Sequence, residues 1–169
     1  MIFYTYLSTP IGKLLLTSSN DTLTGIYSMQ QKNRPIPTNE WEQNDALPIF
    51  KNTAVQLEQY FASRLVVFTI AYTLQGTHFQ KWVWETLQHI PYGQVISYKA
   101  FAALTAYPKA IRAVASAIAQ NPLSILLPCH RVIRSSGTLS GYALGLEVKH
   151  KLLQLERLRV AKGPIITAF

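Results

Sequence analysis

The run Leu126-Leu127-Pro128-Cys129-His130-Arg131-Val132-Ile133 constrains this chain more than any other stretch of it. Its apolar flanks suit a buried strand, yet Pro128 has no N–H for a ladder and pushes Leu127 toward an extended conformation. A strand built here must end or bulge at Cys129. That residue is the only cysteine in 169, so no internal disulfide can form and a reducing, intracellular setting is expected. A single buried cysteine is commonly a small hydrophobe without chemistry. The neighbours argue otherwise, because His130 and Arg131 place potential positive charge beside the thiol and so favour the nucleophilic thiolate.

Charge separates the chain into two halves. Residues 1–76 carry five of the 16 basic groups (Lys13, Lys32, Arg34, Lys51, Arg64) and five of the eight acidic ones, so the whole formal excess of +8 falls on residues 77–169. A basic excess confined to the half that holds the thiol points to nucleic acid as the partner. Hydrophobic residues make up 49% of the chain, enough for one domain, or for one domain with a small companion. No apolar run reaches the roughly 18 residues of a membrane span, and Met1-Ile2-Phe3-Tyr4-Thr5-Tyr6 lacks the basic flank of a signal peptide.

Taken in order, Ile2 to Leu7, Lys13 to Ser18 and Thr22 to Tyr27 are rich in β-branched and aromatic residues. Thr9-Pro10-Ile11-Gly12 and Ser19-Asn20-Asp21 between them are turn chemistry, which predicts three short antiparallel strands. Gln30 to Asn44, with Pro35 and Pro37, reads as a surface loop. Asp45 can cap a helix of about Ala46 to Ala62 whose apolar face is Ile49, Val55, Leu57, Tyr60 and Phe61, and Leu65 to Tyr72 reads as a further strand. No repeat and no phosphate-binding glycine loop occurs here. Residues 1–75 therefore read as a supporting α+β subdomain, with Gln75-Gly76 as the linker to residues 76–169.

Thr77-His78-Phe79-Gln80 has the form of a capping box, opening a helix that Pro91-Tyr92-Gly93 stops. His78 and His89 fit surface or cap positions better than ligand positions. Adjacent Cys129 and His130 cannot easily hold one ion, and no C-x-x-C exists, so no metal is expected. Ser97 caps a short helix from Tyr98 to about Thr105, and a second helix runs from Pro108 to about Gln120, making a helix-turn-helix candidate. The second helix is rich in alanine, and apart from Arg112 it lacks the long polar side chains that read base edges. A face of small residues suits close approach to backbone in a minor groove. The competing reading is a core helix packed tightly on its neighbours.

With Ser135-Ser136-Gly137 and Gly141-Tyr142, the Pro128-Cys129-His130-Arg131 run resembles the active-site signature of the O6-alkylguanine-DNA alkyltransferases. Thr77 to Leu87, Ile90-Pro91-Tyr92-Gly93, Ser97-Tyr98, Pro108-Lys109-Ala110, Arg112-Ala113-Val114 and Asn121-Pro122 are similar to that family in order and spacing. So are Gly145-Leu146, Val148-Lys149, Leu152-Leu153 and Glu156. The resemblance implies an α+β N-terminal subdomain, a short antiparallel sheet plus helix, followed by a mainly α-helical C-terminal domain with a winged helix-turn-helix. It implies that residues 76–169 bind DNA and take an alkyl group irreversibly from O6-alkylguanine.

The roles it implies are specific. Cys129 is the acceptor, His130 deprotonates it through a water, and Glu156 orients and charge-balances the imidazole. Glu147 is the other candidate carboxylate. Tyr98 supplies a proton to the departing guanine, and Asn121 braces the loop that carries Cys129. The nucleotide must leave the stack, with Arg112 filling the gap and Ala110, Ala113, Ser116, Arg131 and Tyr98 touching DNA. Tyr142, Ala143 and Leu144 border the pocket. The implied partner is double-stranded DNA carrying O6-alkylguanine, with O4-alkylthymine left open. No cofactor and no membrane association are expected, and a monomer in cytoplasm or nucleus is. Guanine comes from the resemblance alone; Cys129, His130 and a basic, small-faced helix are legible without it.

One departure concerns the pocket. Where that family commonly has a glycine, this chain has Leu144, for which a left-handed backbone is costly. Either the loop shifts and large adducts are penalised, or the side chain lies along the pocket wall and flat adducts gain contact, and restriction is the expected outcome. Two other classes remain open. A Cys-His-Glu hydrolase uses the same groups but needs an oxyanion hole, and a lesion-binding module needs only an inert cysteine. Transfer of a methyl to the protein, measured by intact mass, separates them.

Overall fold

The alternating β-branched and aromatic residues at the start form β1 (Ile2–Thr9), β2 (Gly12–Ser19) and β3 (Thr22–Ser28). They pair antiparallel in sequence order. Asn20 and Asp21 both take positive φ, 48° and 60°, the two-residue turn whose twist matches the strands it joins. Leu14, Leu15, Leu16, Leu23 and Ile26 are buried.

The computed structural model describes residues 1–139 and 141–160, with side chains through residue 157. Two compact units, Met1–Gln75 and Gly76–Phe169, divide the chain. Ser140 and residues 161–169 of the expected second domain lie outside the described residues.

Three expectations for the first unit need correction. The loop expected over Gln30 to Asn44 contains β4 (Trp41–Gln43), which pairs parallel to β1 and completes the sheet order β3-β2-β1-β4. Trp41 lies against Tyr4, with ring centroids 6.4 Å apart. The helix α1 (Pro48–Phe61) starts later than expected and is not capped by Asp45. The Asp45 carboxylate instead accepts from Thr5 Oγ1 at 2.6 Å, while Leu47 precedes Pro48 at the N1 position that proline tolerates. The strand expected over Leu65 to Tyr72 is absent. Its backbone joins the sheet only at its end, through Leu23 N–H to Ala71 O and Thr73 N–H to Leu23 O, both 2.9 Å. Upstream, the Gln56 side chain holds the Thr69 N–H in place of a ladder.

In the second unit α2 (His78–Leu87) opens on the capping box, with Gln80 N–H donating to Thr77 Oγ1 and Thr77 N–H donating to Gln80 Oε1. Ser97 caps α3 (Tyr98–Leu104). The next helix, α4 (Ile111–Ala119), begins three residues later than expected. Pro108 and Lys109 are spent in a turn that Ala110 N–H closes on Tyr107 O at 3.0 Å. Val114, Ala117 and Ile118 form its buried face, and the Trp84 indole donates to Ala117 O at 2.7 Å. That packing fits the core-helix reading, and Arg112, Ala113, Ser116 and Ala119 are exposed on the other side of the helix. Two short strands, β5 (Ile96–Ser97) and β6 (Val132–Ile133), pair in parallel and tie the start of α3 to the segment leaving Cys129. The last described element is α5 (Leu146–Val160). Among the described residues no helix is long and apolar enough to cross a membrane.

Candidate active site

Residues 121–131 form a sequence of tight turns rather than a strand, which begins only at Val132. Asn121, buried at the end of α4, organises them. Its Oδ1 accepts from Leu123 N–H at 3.0 Å, and its Nδ2 donates to Leu127 O at 2.8 Å and to Cys129 Sγ at 3.1 Å. Between these points Ile125 takes a φ of 76°, which costs a β-branched residue roughly 1–2 kcal/mol. Pro128 sits at φ −79° and ψ 63°, an inverse γ-turn, closed by Cys129 N–H on Leu127 O at 2.7 Å. Cys129 then opens a single 3-10 turn, Cys129–Arg131. The proline does interrupt the apolar run at the thiol, by turning it.

Behind the turn lies a buried ionic cluster. Glu156 Oε1 accepts from His130 Nε2 at 2.7 Å and from an Arg131 terminal nitrogen at 3.0 Å, and Oε2 accepts from Arg131 Nε at 2.9 Å. The other Arg131 terminal nitrogen donates to Ile90 O at 2.6 Å. Burial alone would raise the Glu156 carboxyl, but His130 and Arg131 together outweigh it and hold the group far below the usual range. An ionised carboxylate only accepts, so His130 carries its proton on Nε2 and presents Nδ1 as the lone pair. Burial lowers the His130 pKa against the pull of Glu156, which keeps the ring neutral at neutral pH. Nδ1 is buried and makes no hydrogen bond to a described protein group. Glu147, the other carboxylate considered, is exposed and pairs with Lys151 at 2.8 Å.

The charge expected beside the thiol comes from elsewhere. Neutral His130 contributes none, and the Arg131 guanidinium is held by Glu156 and Ile90. Burial raises the Cys129 pKa, opposed by the Asn121 hydrogen bond, the Lys149 charge and the Ser124 hydroxyl. Lys149 is 1% exposed, reaches Val132 O at 2.7 Å and has its pKa brought by burial to about 8. Sequence reading missed it as a site residue. The signal was present: Lys149, Leu152, Leu153 and Glu156 fall at i, i+3, i+4 and i+7, the buried stripe of α5. A lysine and a glutamate inside such a stripe must serve something buried.

The expected DNA contacts divide. Arg112, Ala113 and Ser116 lie exposed on α4, with Ala110 half-buried at its cap. Arg131 requires correction: it is 7% exposed and committed to Glu156, which leaves it unsuited to a phosphate. Tyr98 is half-buried at the first position of α3, directly after the β5 strand that pairs with β6. The Tyr142 hydroxyl is buried and lies close enough to Cys129 and Ser124 to feel both. Its ring meets that of His130 edge-on at 6.4 Å. Ala143 is half-buried. The backbone strain expected at Leu144 is absent, because the left-handed position of this turn is Gly145, at φ 96°. Leu144 is buried, 5% exposed. Among the described residues no group of three or more His, Cys, Asp or Glu is placed to hold a metal ion.

Comparison with known proteins bears on both units. Residues 2–74 match the 6-O-methylguanine DNA methyltransferase, ribonuclease-like domain, and residues 78–158 match the 6-O-methylguanine DNA methyltransferase, DNA binding domain. A methylated-DNA–protein-cysteine methyltransferase of Haemophilus influenzae is 38% identical over 158 residues, 93% of this chain and 87% of that protein. Its counterpart in Mycolicibacterium paratuberculosis is 43% identical over 157 residues, 93% of each. The crystal structure of Mycobacterium tuberculosis OGT in complex with DNA superposes with a TM-score of 0.86 at 38% identity, covering 95% of this chain and 96% of that one.

Proposed function

Because this chain belongs to the 6-O-methylguanine DNA methyltransferase family, we propose that Cys129 is the acceptor of the alkyl group it takes from DNA. The protein is a DNA repair enzyme, a methylated-DNA–protein-cysteine methyltransferase that transfers the alkyl group of O6-alkylguanine in duplex DNA to itself. One observation carries the assignment of Cys129. The chain's only thiol is held by Asn121 at 3.1 Å and followed directly by a buried histidine hydrogen-bonded to the buried Glu156 carboxylate at 2.7 Å.

In this reading His130 Nδ1 takes the thiol proton through one water, and Glu156 stabilises the imidazolium that forms. The sulfur lone pair attacks the alkyl carbon as its bond to O6 breaks. The electrons pass to guanine, which takes a proton from the Tyr98 hydroxyl. A thioether has no good leaving group, so Cys129 reacts once. Residues 76–169 do this work and residues 1–75 support them. Helices α3 and α4 form the helix-turn-helix, and β6 with the loop after it forms the wing. The exposed small residues of α4 (Ala113 and Ser116, with Ala110 at its cap) meet the backbone in the minor groove, and Arg112 fills the stack left by the extruded nucleotide. Tyr142, Ala143 and Leu144 wall the pocket. Such a protein works inside the cell, on DNA.

Intact mass after mixing with methylated duplex tests the reading. The expected result is a gain of one CH2 per chain, lost in Cys129→Ala while DNA binding persists. Methyl release beyond one equivalent would sink single turnover. A wild-type chain that binds without gaining mass is a binding module, and one that cleaves esters is a hydrolase.

A further inference from the structure

Ser124 sits in the turn that Asn121 closes, and nothing in the mechanism above uses it. The residue is fully buried, and its hydroxyl makes no close hydrogen bond to a described protein group. The backbone on either side of it is fixed: Leu127 N–H closes on Leu123 O at 2.9 Å, Ser124 and Leu127 form a bridge, and Ile125 takes its left-handed φ. Asn121 ties both ends of this turn to the thiol, binding Leu123 N–H, Leu127 O and Cys129 Sγ, and the buried hydroxyl within it acts on both the Cys129 sulfur and the Tyr142 hydroxyl. Asn121 Nδ2 already donates to that sulfur at 3.1 Å. A buried hydroxyl next to a sulfur that must become an anion is a donor awaiting its acceptor.

We propose that the Ser124 hydroxyl donates to the Cys129 thiolate, completing with the Asn121 amide a two-donor cradle that holds the sulfur in its reactive anionic form. The inference rests on Cys129 being the alkyl acceptor. Both donors bind the sulfur lone pairs before attack. As the S–C bond forms and the C–O6 bond breaks, the negative charge leaves the sulfur for guanine and both hydrogen bonds weaken. The cradle thus stabilises the thiolate more than the thioether. It raises the fraction of sulfur that is ionised and lowers the reactivity of each thiolate. The other groups that act on the sulfur are Lys149, whose charge favours the thiolate, and Tyr142, whose hydroxyl adjoins it. His130 and Glu156 stand behind the same turn.

Those opposed effects give the test its form. Methyl transfer from duplex is followed in single-turnover mode from about pH 6 to about pH 9, and the reaction with iodoacetamide, which has only one cysteine to modify, from about pH 6 to about pH 11, a range that spans a midpoint raised by burial. In Ser124→Ala the titration midpoint of Cys129 is expected to rise by about one unit, the scale of a hydrogen bond to a charged group. At neutral pH the thiolate falls about tenfold, and with a Brønsted slope near 0.4–0.5 each thiolate reacts about threefold faster. The net loss is about threefold. Above the midpoint the variant is about threefold faster, so the two profiles cross. Ser124→Thr, which keeps the hydroxyl, retains the wild-type midpoint. Superimposed profiles would overturn the proposal, and so would a loss of the same size at every pH, which marks a merely structural role. If wild-type protein reacts with iodoacetamide but takes no methyl from DNA, the alkyl-transfer reading fails instead.

Discussion

The Lys149 ammonium is carried by α5 into a buried position on Val132 O, where its pKa is about 8 against an ordinary 10.5. Between those values the unfolded chain binds more protons at this site than the folded one, so stability rises with pH there. Below about pH 8 both states are protonated and the contribution is flat. Going from pH 7 to pH 9 should therefore favour the wild type over Lys149→Met by about 1.4 kcal/mol, one pKa unit's worth. Urea midpoints of the two proteins at the two pH values check this, and a constant difference between them contradicts it. At this scale the sequence located the chemistry but not the electrostatics. Cys129 and His130 were legible from the residues themselves, while Asn121 and Glu156 became candidates only through the resemblance. That Arg131 turns inward to Glu156, while Lys149 supplies the charge near the sulfur, depends on how α5 lies against the turn, and no local pattern states that.

Elements were legible where their signals were local. The capping box of α2 and the Ser97 cap of α3 are written within four residues, and both form. The three-residue β4 and the missing strand over Leu65 to Tyr72 were not legible, because the sheet edge and the Gln56 side chain decide them. The turn Tyr142-Ala143-Leu144-Gly145 shows both cases. Its glycine is needed at Gly145, where φ is 96° and Gly145 N–H closes on Tyr142 O at 2.9 Å, so Leu144 bears no backbone strain. What remains of the size argument is volume: a buried leucine stands where the family pattern that the sequence resembles has glycine. Filling a shaped pocket typically costs 1–3 kcal/mol, about tenfold in rate. Leu144→Gly should therefore raise benzyl transfer about tenfold while leaving methyl transfer nearly unchanged. Removing the side chain also costs about 2–5 kcal/mol of stability. The quantity to measure is thus the ratio of the two single-turnover rates within each protein, which cancels any unfolded fraction. An unchanged ratio would show that Leu144 does not set the pocket's size.

Across the whole molecule, the +8 charge resides in residues 77–169, but formal charge overstates what phosphate can use. Arg131 and Lys149 belong to that half and are both buried, one held by Glu156 and the other by Val132 O. Lys99, Lys109 and Arg112 are exposed on or beside α3 and α4. Each phosphate neutralised releases counterions, and the slope of log K against log salt falls by about 0.9 per contact. Lys99→Ala and Lys109→Ala should each flatten that slope by about 0.9 for undamaged duplex. Lys51→Ala, exposed on α1 in the neutral half, should leave it unchanged. Arg112 is expected to behave differently again. A side chain that fills a vacated stack contributes once the nucleotide is out, so Arg112→Ala should slow methyl transfer from duplex far more than reaction with the free modified base. Salt titrations with the three lysine variants, and paired rates for Arg112→Ala, separate phosphate contact from stack filling. A flattened slope for Lys51→Ala would place DNA on the wrong half of the chain, and equal losses on duplex and free base would remove Arg112 from the stack.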